Sequence, residues 1–278
     1  MAETNQASRP AIYYWRWVVV LVAGGILGFW LAFTPEGVFG KADAVGYAVC
    51  HRIDARSFQL GERQFPLCAR CTGQYLGAIS GLVFQAIIGK RRAGSPPKRV
   101  IALLLLLAVV YAIDGLNSYF YLPPLLDRIP SWMHLYEPNN IIRLMTGTGM
   151  GLVIAAALFP AFTSTIYRQI DQRPALPNLG AFFGMSAVAL SIAGLVLTEI
   201  GWLLYLLALI SSAGVLLLLG MVYTMIILML FRIENRYEHL SQAAFPILSG
   251  LMVAILQIAI FDLGRVILTG TWGELPFG

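Results

Sequence analysis

The chain is short of charge. Only 12% of its 278 residues are Asp, Glu, Lys or Arg, 58% are hydrophobic, and the mean hydropathy is +0.74. A soluble globule carries about 25% charged residues, so an ordinary water-facing surface is excluded and the chain is built for lipid. Histidine is also scarce: His51, His134 and His239 are too few and too scattered for bis-histidine haem. No HExxH metalloprotease signature, Gly-rich phosphate loop or GxSxG nucleophile elbow occurs. Nor do two halves carry matching broken helices, which weakens a secondary-transporter reading. Cysteine is limited to three residues, all between Cys50 and Cys71. A net charge of +5 and a pI near 9.2 would suggest nucleic acid in a soluble protein. Here the basic residues lie between apolar runs, where they set topology, and no nucleic-acid partner is expected.

What is present is hydrocarbon in long runs. Seven segments, near 14–34, 72–89, 100–122, 142–162, 181–198, 205–231 and 244–268, are long enough to cross a bilayer of about 30 Å as helices. The expected fold is all-α, a multi-pass membrane protein of about seven helices whose principal partner is the lipid bilayer. The opening MAETNQASRP has no basic segment leading into a short apolar core, so the first run reads as a retained span. No repeat and no long polar linker divides the chain, so residues 1–278 read as one helical domain. The connections on one side carry eleven Lys and Arg: Arg9, Arg16, Lys90, Arg91, Arg92, Lys98, Arg99, Arg168, Arg173, Arg232 and Arg236. The other side carries six: Lys41, Arg52, Arg56, Arg63, Arg70 and Arg128. The bias puts the N-terminus in the cytoplasm and the cysteine loop outside, in the cell inner (cytoplasmic) membrane. Asp43, Asp54 and Glu62 alternate with the loop arginines, so the loop can pair its charges internally; alternatively Arg52, Arg56, Arg63 and Arg70 build a site for an anion.

The residues CHR, RSF and PLCARCTGQYLG, followed by DGLNSY and NNIIRLMTGTGMG, carry a resemblance. Over about residues 49–151 the chain resembles the family of bacterial and archaeal membrane proteins known as domain of unknown function 2085. Cys50, His51, Arg56, Ser57, Cys68, Arg70, Cys71, Thr72, Gly73 and Gly77 fall on its first motif. Asp114, Gly115, Asn140, Arg143, Thr146 and Gly147 resemble the later ones. The resemblance implies a membrane-embedded core and no particular activity; residues 181–278, with three further membrane helices, lie beyond it.

Three thiols and an imidazole, Cys50, His51, Cys68 and Cys71, form a familiar ligand set for zinc or another divalent metal. Adjacent side chains diverge, however, so His134 is an alternative fourth ligand to His51. Outside the cytoplasm a Cys50–Cys68 or Cys68–Cys71 disulfide is the competing reading, with one thiol left over. Cys71 opens the second helix, where free amides and the helix dipole favour a thiolate.

Asp114 lies about 14 residues into the third span, roughly 21 Å along it, and Arg143 enters the fourth span from the same end. A carboxylate or guanidinium at the middle of a membrane helix costs at least about 2.5 kcal/mol. An Asp114–Arg143 bridge is therefore expected, with Asn139 and Asn140 capping the fourth helix. A polar cleft of Arg56, Arg70, Asp114, Asn117, Asn139, Asn140 and Arg143 would open outward to a lipid headgroup, a quinone-like ligand or a small anion. Asp262 and Arg265, three apart on the last span, form a second charged pair. Gly73, Gly77 and Gly81, and Gly147 and Gly151, are small-residue stripes for close packing of the second and fourth spans. These features suit a subunit or assembly factor docked to other membrane-protein subunits. A thiol- or metal-dependent membrane enzyme acting on an amphiphile and a small-solute transporter are the alternatives.

Overall fold

The computed structural model describes residues 9–272; of the stretch behind the retained-span expectation, MAETNQAS lies outside the described residues. The apolar runs form α1 (Arg9–Phe33), α3 (Ala69–Gly89), α4 (Lys98–Phe120), α6 (Asn140–Ile166), α7 (Leu179–Val196), α8 (Gly201–Leu230) and α9 (Ala244–Thr269). Between them lie α2 (Gly37–Val49) and the one-turn α5 (Pro123–Leu126). Among the described residues six helices are long and apolar enough to cross a membrane. The pair α1–α2, bent by 102°, makes up to seven if taken as one span. The expected spans and the observed helices agree to within a few residues.

α3 and α6 are the most buried spans and form the centre. Their stripes meet face to face. A Cβ on Gly73 would come 2.2 Å from the Leu144 carbonyl oxygen, one on Gly147 2.1 Å from that of Arg70, and one on Gly151 2.2 Å from that of Gln74. A Cβ on Gly77 would come 2.5 Å from the Thr148 carbonyl oxygen, and one on Gly81 2.6 Å from the Ala155 methyl. Only hydrogen fits at such positions, so these glycines set the helix–helix distance. α4 packs on α6, α7 and α8 pack on α3, and α9 packs on both α8 and α1. The outer faces, such as Leu105, Leu106, Val109 and Leu268, stay exposed as a lipid-facing surface requires.

The connections sort to two ends. At one, β3 (Arg92–Gly94) pairs in parallel with β4 (Asp171–Pro174), and the Arg168 N–H donates to the Tyr237 carbonyl (2.9 Å). At the other are the cysteine segment, the α4–α6 connection and the C-terminal end of α9.

The cysteine segment is more structured than a loop. α2 buries Phe39, Ala44, Val45 and Tyr47. Lys41 turns back to the exposed carbonyls ending α1, donating to Thr34 O (2.9 Å) and to Leu31 O. A hairpin follows: β1 (Ser57–Leu60) runs antiparallel to β2 (Arg63–Cys68) through a turn where Gly61 takes φ +63°. Phe65 and Leu67 of β2 are fully buried, so this end has a core of its own.

Candidate functional site: a thiol cluster beside an arginine pocket

Cys50 ends α2, Cys68 precedes the first residue of α3, and Cys71 lies in its first turn. The three sulfur atoms lie within 4.8 Å of one another, an arrangement that could hold a metal ion. The Cys68 backbone N–H donates to Cys50 Sγ (3.3 Å). The hydrogen bond from Cys50, and then that from Cys71, hold the Cys68 thiol well below its ordinary range; seen from the donor, the bond to Cys68 pushes Cys50 up to about 12. All three cysteines are free.

Neither expected histidine joins them. His51 is exposed and outside the cluster. His134 packs edge-on against Tyr121, 4.8 Å between ring centres.

Of the four arginines of the segment, two pair within it: Arg52 with Asp43 (3.1 Å) and Arg63 with the same carboxylate (2.5 Å). The other two turn into the bundle. Arg70, not Arg143, is the partner of Asp114. Its Nη2 and Nε donate to Asp114 Oδ2 (2.5 and 2.9 Å), and Nη2 also reaches Ser118 Oγ (2.8 Å). Thr146 Oγ1 donates to the same carboxylate oxygen (3.0 Å), and Tyr136 donates to Oδ1 (2.6 Å). Burial and then the bond to Asp114 raise the Tyr136 phenol to about 12, so it remains a donor at neutral pH. The expected Asp114–Arg143 bridge is replaced because Arg143 donates one turn back, to Asn140 Oδ1 (3.0 Å), while Thr146 occupies the α6 position facing Asp114.

The asparagines are structural. Asn139 caps α6 by accepting from the Ile142 N–H (2.9 Å). Asn140 donates to the Ala55 and Ser57 carbonyls (3.4 and 3.3 Å). Asn117 accepts from the Leu135 N–H and donates to the Tyr136 carbonyl (2.9 and 2.8 Å), holding the segment that supplies Tyr136.

These elements enclose a pocket of about 180 Å³. Arg56, Arg70 and Arg143 line it with Cys68 and His51; Gly115 and Tyr119 of α4, with Leu122, form an apolar wall. Arg56 donates to the Ser118 carbonyl (3.0 Å); burial, and after it the Arg70 cation, lowers its pKa from the ordinary guanidinium value. Arg143 is only 6% exposed and its Nε is buried without a hydrogen-bond partner.

The second expected pair does not form either. Arg265 instead donates to carbonyls at the end of α2: to Tyr47, to Cys50 (2.6 Å) and to His51 (3.4 Å), with its guanidinium 3.9 Å from the Tyr47 ring centre. The helix end supplies unpaired carbonyls, and a fork of donors meets them. Asp262 is left fully buried, with the buried Trp30 indole N–H as its polar neighbour. Sequence reasoning missed Tyr136, Thr146 and Ser118 as partners in the Asp114 network. Thr146, three residues after Arg143 on one helix, was the one with a usable signal.

Comparison with known proteins adds the following. The family model described as "Predicted membrane protein (DUF2085)" matches residues 50–157, which contain all three thiols, the pocket arginines and Asp114. An uncharacterized protein of Methanothermobacter thermautotrophicus is 32% identical over 107 residues, 38% of this chain and 81% of the relative. An uncharacterized protein of Methanocaldococcus jannaschii is 26% identical over 126 residues, 45% of this chain and 71% of the relative. No solved structure matches. With four-fifths of the Methanothermobacter protein covered at that identity, the chain belongs to the DUF2085 family of predicted membrane proteins.

Proposed function

We propose that this membrane protein binds the anionic headgroup of an amphiphile, a phosphate or carboxylate on an apolar tail, in the pocket between Arg56, Arg70 and Arg143. The observation that carries the reading is a charge imbalance. Three guanidiniums line the pocket, and the Asp114 carboxylate is already engaged by Arg70, Thr146 and Tyr136. Among the described residues Arg56 and Arg143 form no ion pair. Uncompensated charge in a membrane helix costs about 2.5–3.5 kcal/mol at its centre, and guanidinium forks match phosphate and carboxylate oxygens. The wall of Gly115, Tyr119 and Leu122 suits the start of a tail, and Tyr119 is 56% exposed on the outer face of α4. With donors on both oxygens, Asp114 is not free to act as a general base. The reading is therefore one of binding, as in a subunit or assembly factor of a larger membrane complex.

The eleven-to-six bias of basic residues supports a cytoplasmic N-terminus and a pocket on the outer side of the inner membrane. A reporter inserted at Gly61 is then extracytoplasmic and one fused after Gly94 cytoplasmic; reversal of both would overturn the orientation. The binding reading is tested by thermal unfolding of the purified protein in non-ionic detergent with a short-chain alkyl phosphate. At about a hundred times Kd a ligand adds about 2.7 kcal/mol. Arg143→Gln and Arg56→Gln should each weaken binding by about 10-fold or more, the worth of one charge-assisted hydrogen bond. An equal effect from inorganic phosphate would assign the pocket to a free anion. No shift with either would sink the reading.

A further inference from the structure

We propose that Cys50, Cys68 and Cys71 together hold one divalent ion of the zinc class through three thiolates, with the fourth coordination position open to the arginine pocket. The sulfur atoms are within 4.8 Å of one another. Zinc–sulfur bonds of about 2.3 Å in a tetrahedron put sulfurs roughly 3.8 Å apart, so small side-chain rotations close the site. Three sulfurs so placed suit a shared ion better than a disulfide, which would use two and strand the third.

The backbone around the thiols is held in place. α2 is pressed against β2 at Gly46, where a Cβ would come 1.8 Å from the Pro66 carbonyl oxygen. Arg265 grips the Cys50 carbonyl at 2.6 Å. The Cys68 N–H points at Cys50 Sγ, the kind of outer-shell donor that orients a metal-bound thiolate. The charge balance also fits. Three thiolates and one divalent ion sum to −1, beside Arg56 in the pocket and Arg265 at Cys50.

Among the described residues no fourth His, Cys, Asp or Glu joins the three thiols. Toward α8 and α9 the thiols meet an apolar cluster that includes Val215, Ile255 and Ile258. On the opposite side Cys68 lines the pocket. Three protein ligands and an exchangeable fourth is the pattern of open zinc sites. Water fills the position, or an oxygen of the pocket's anion does; that last alternative alone rests on the headgroup reading.

The test uses the full-length wild-type protein in detergent, reduced, stripped with a chelator and titrated with Zn²⁺ or Co²⁺ without added anion. One equivalent should protect all three thiols from alkylation, release protons and, with cobalt, give thiolate-to-metal charge-transfer absorption. Cys68→Ser should weaken Zn²⁺ binding by more than the 10–100-fold typical of a lost outer-shell partner. Should that variant fail to fold, the wild-type titration stands alone. His51→Ala should leave affinity within about 2-fold, as expected of a residue outside the coordination shell. Thiols that stay reactive in excess Zn²⁺, or a disulfide in the natively purified protein, would overturn the site. A loss in His51→Ala as large as in Cys68→Ser would overturn the open position. Because no anion is present, failure here leaves the alkyl phosphate result untouched, and the reverse also holds.

Discussion

Removing Asp114 should be among the most damaging single changes in this chain, and its cost should depend on Arg70 and not on Arg143. Asp114→Ala takes away the acceptor of two Arg70 bonds, of Thr146 and of Tyr136, and leaves a guanidinium whose side chain is 18% exposed facing a cavity. Breaking a buried pair from one side costs about 3–5 kcal/mol. The residual exposure of Arg70 favours the lower half of that range. At about 2–4 °C per kcal/mol for chains somewhat smaller than this one, the midpoint should fall by roughly 6–16 °C. The assay is thermal unfolding in detergent on two double-mutant cycles. Asp114→Ala with Arg70→Met removes both charges and should recover a large part of the loss, giving a coupling on the order of 1.5–3 kcal/mol. Asp114→Ala with Arg143→Met should be additive to within about 0.5 kcal/mol, because Arg143 bonds to Asn140 instead. Additivity in the Arg70 cycle, or strong coupling in the Arg143 cycle, would refute the assignment.

Three further outcomes follow from the helix contacts. Gly147→Ala would set a methyl 2.1 Å from the Arg70 carbonyl oxygen, forcing α3 and α6 apart at a cost of about 1–3 kcal/mol or more. Gly24→Ala on α1, which meets nothing within 4 Å, should be neutral or stabilising by up to about 1 kcal/mol in the same melt. Arg265→Met should strip the cap from α2 at about 1.5–3 kcal/mol and speed hydrogen exchange around residues 46–52; Arg265→Lys should restore only part of this, since an ammonium lacks the planar guanidinium that lies over the Tyr47 ring and spreads two nitrogens over three carbonyls. Unchanged exchange in Arg265→Met would show that the contact holds nothing.

The spans were legible because a bilayer imposes a length and a polarity on each crossing, and both are written in unbroken apolar runs such as residues 103–110. α2 was not. Lys41 and Asp43 break its hydropathy, and Gly37, Gly40 and Gly46 look like loop residues until neighbouring backbones are known. That omission explains the Asp262–Arg265 error: three-residue spacing on one helix suggests a pair, but the carbonyls that Arg265 prefers belong to a helix the pattern hides. The Asp114–Arg143 error has a different source. Depth placed Arg143 near Asp114 and left Arg70 among the loop arginines; which of them meets the carboxylate depends on the rotation of α6, which the glycine contacts with α3 set and hydropathy does not encode. The grouping of Cys50, Cys68 and Cys71 was readable from spacing; the exclusion of both histidines needed the geometry.

The grip of Arg265 on the end of α2 also sets an order of events during synthesis. The thiols leave the ribosome early, while their clamp is in the last helix, roughly 200 residues later, or about 10–40 s at ordinary elongation rates. For that interval Cys50 is tethered to its partners only through α2 and the hairpin. The thiol end is therefore completed late although it is made early. A chain cut short before α9 would insert most of its spans and still leave the Cys50 carbonyl without the Arg265 donor that holds it.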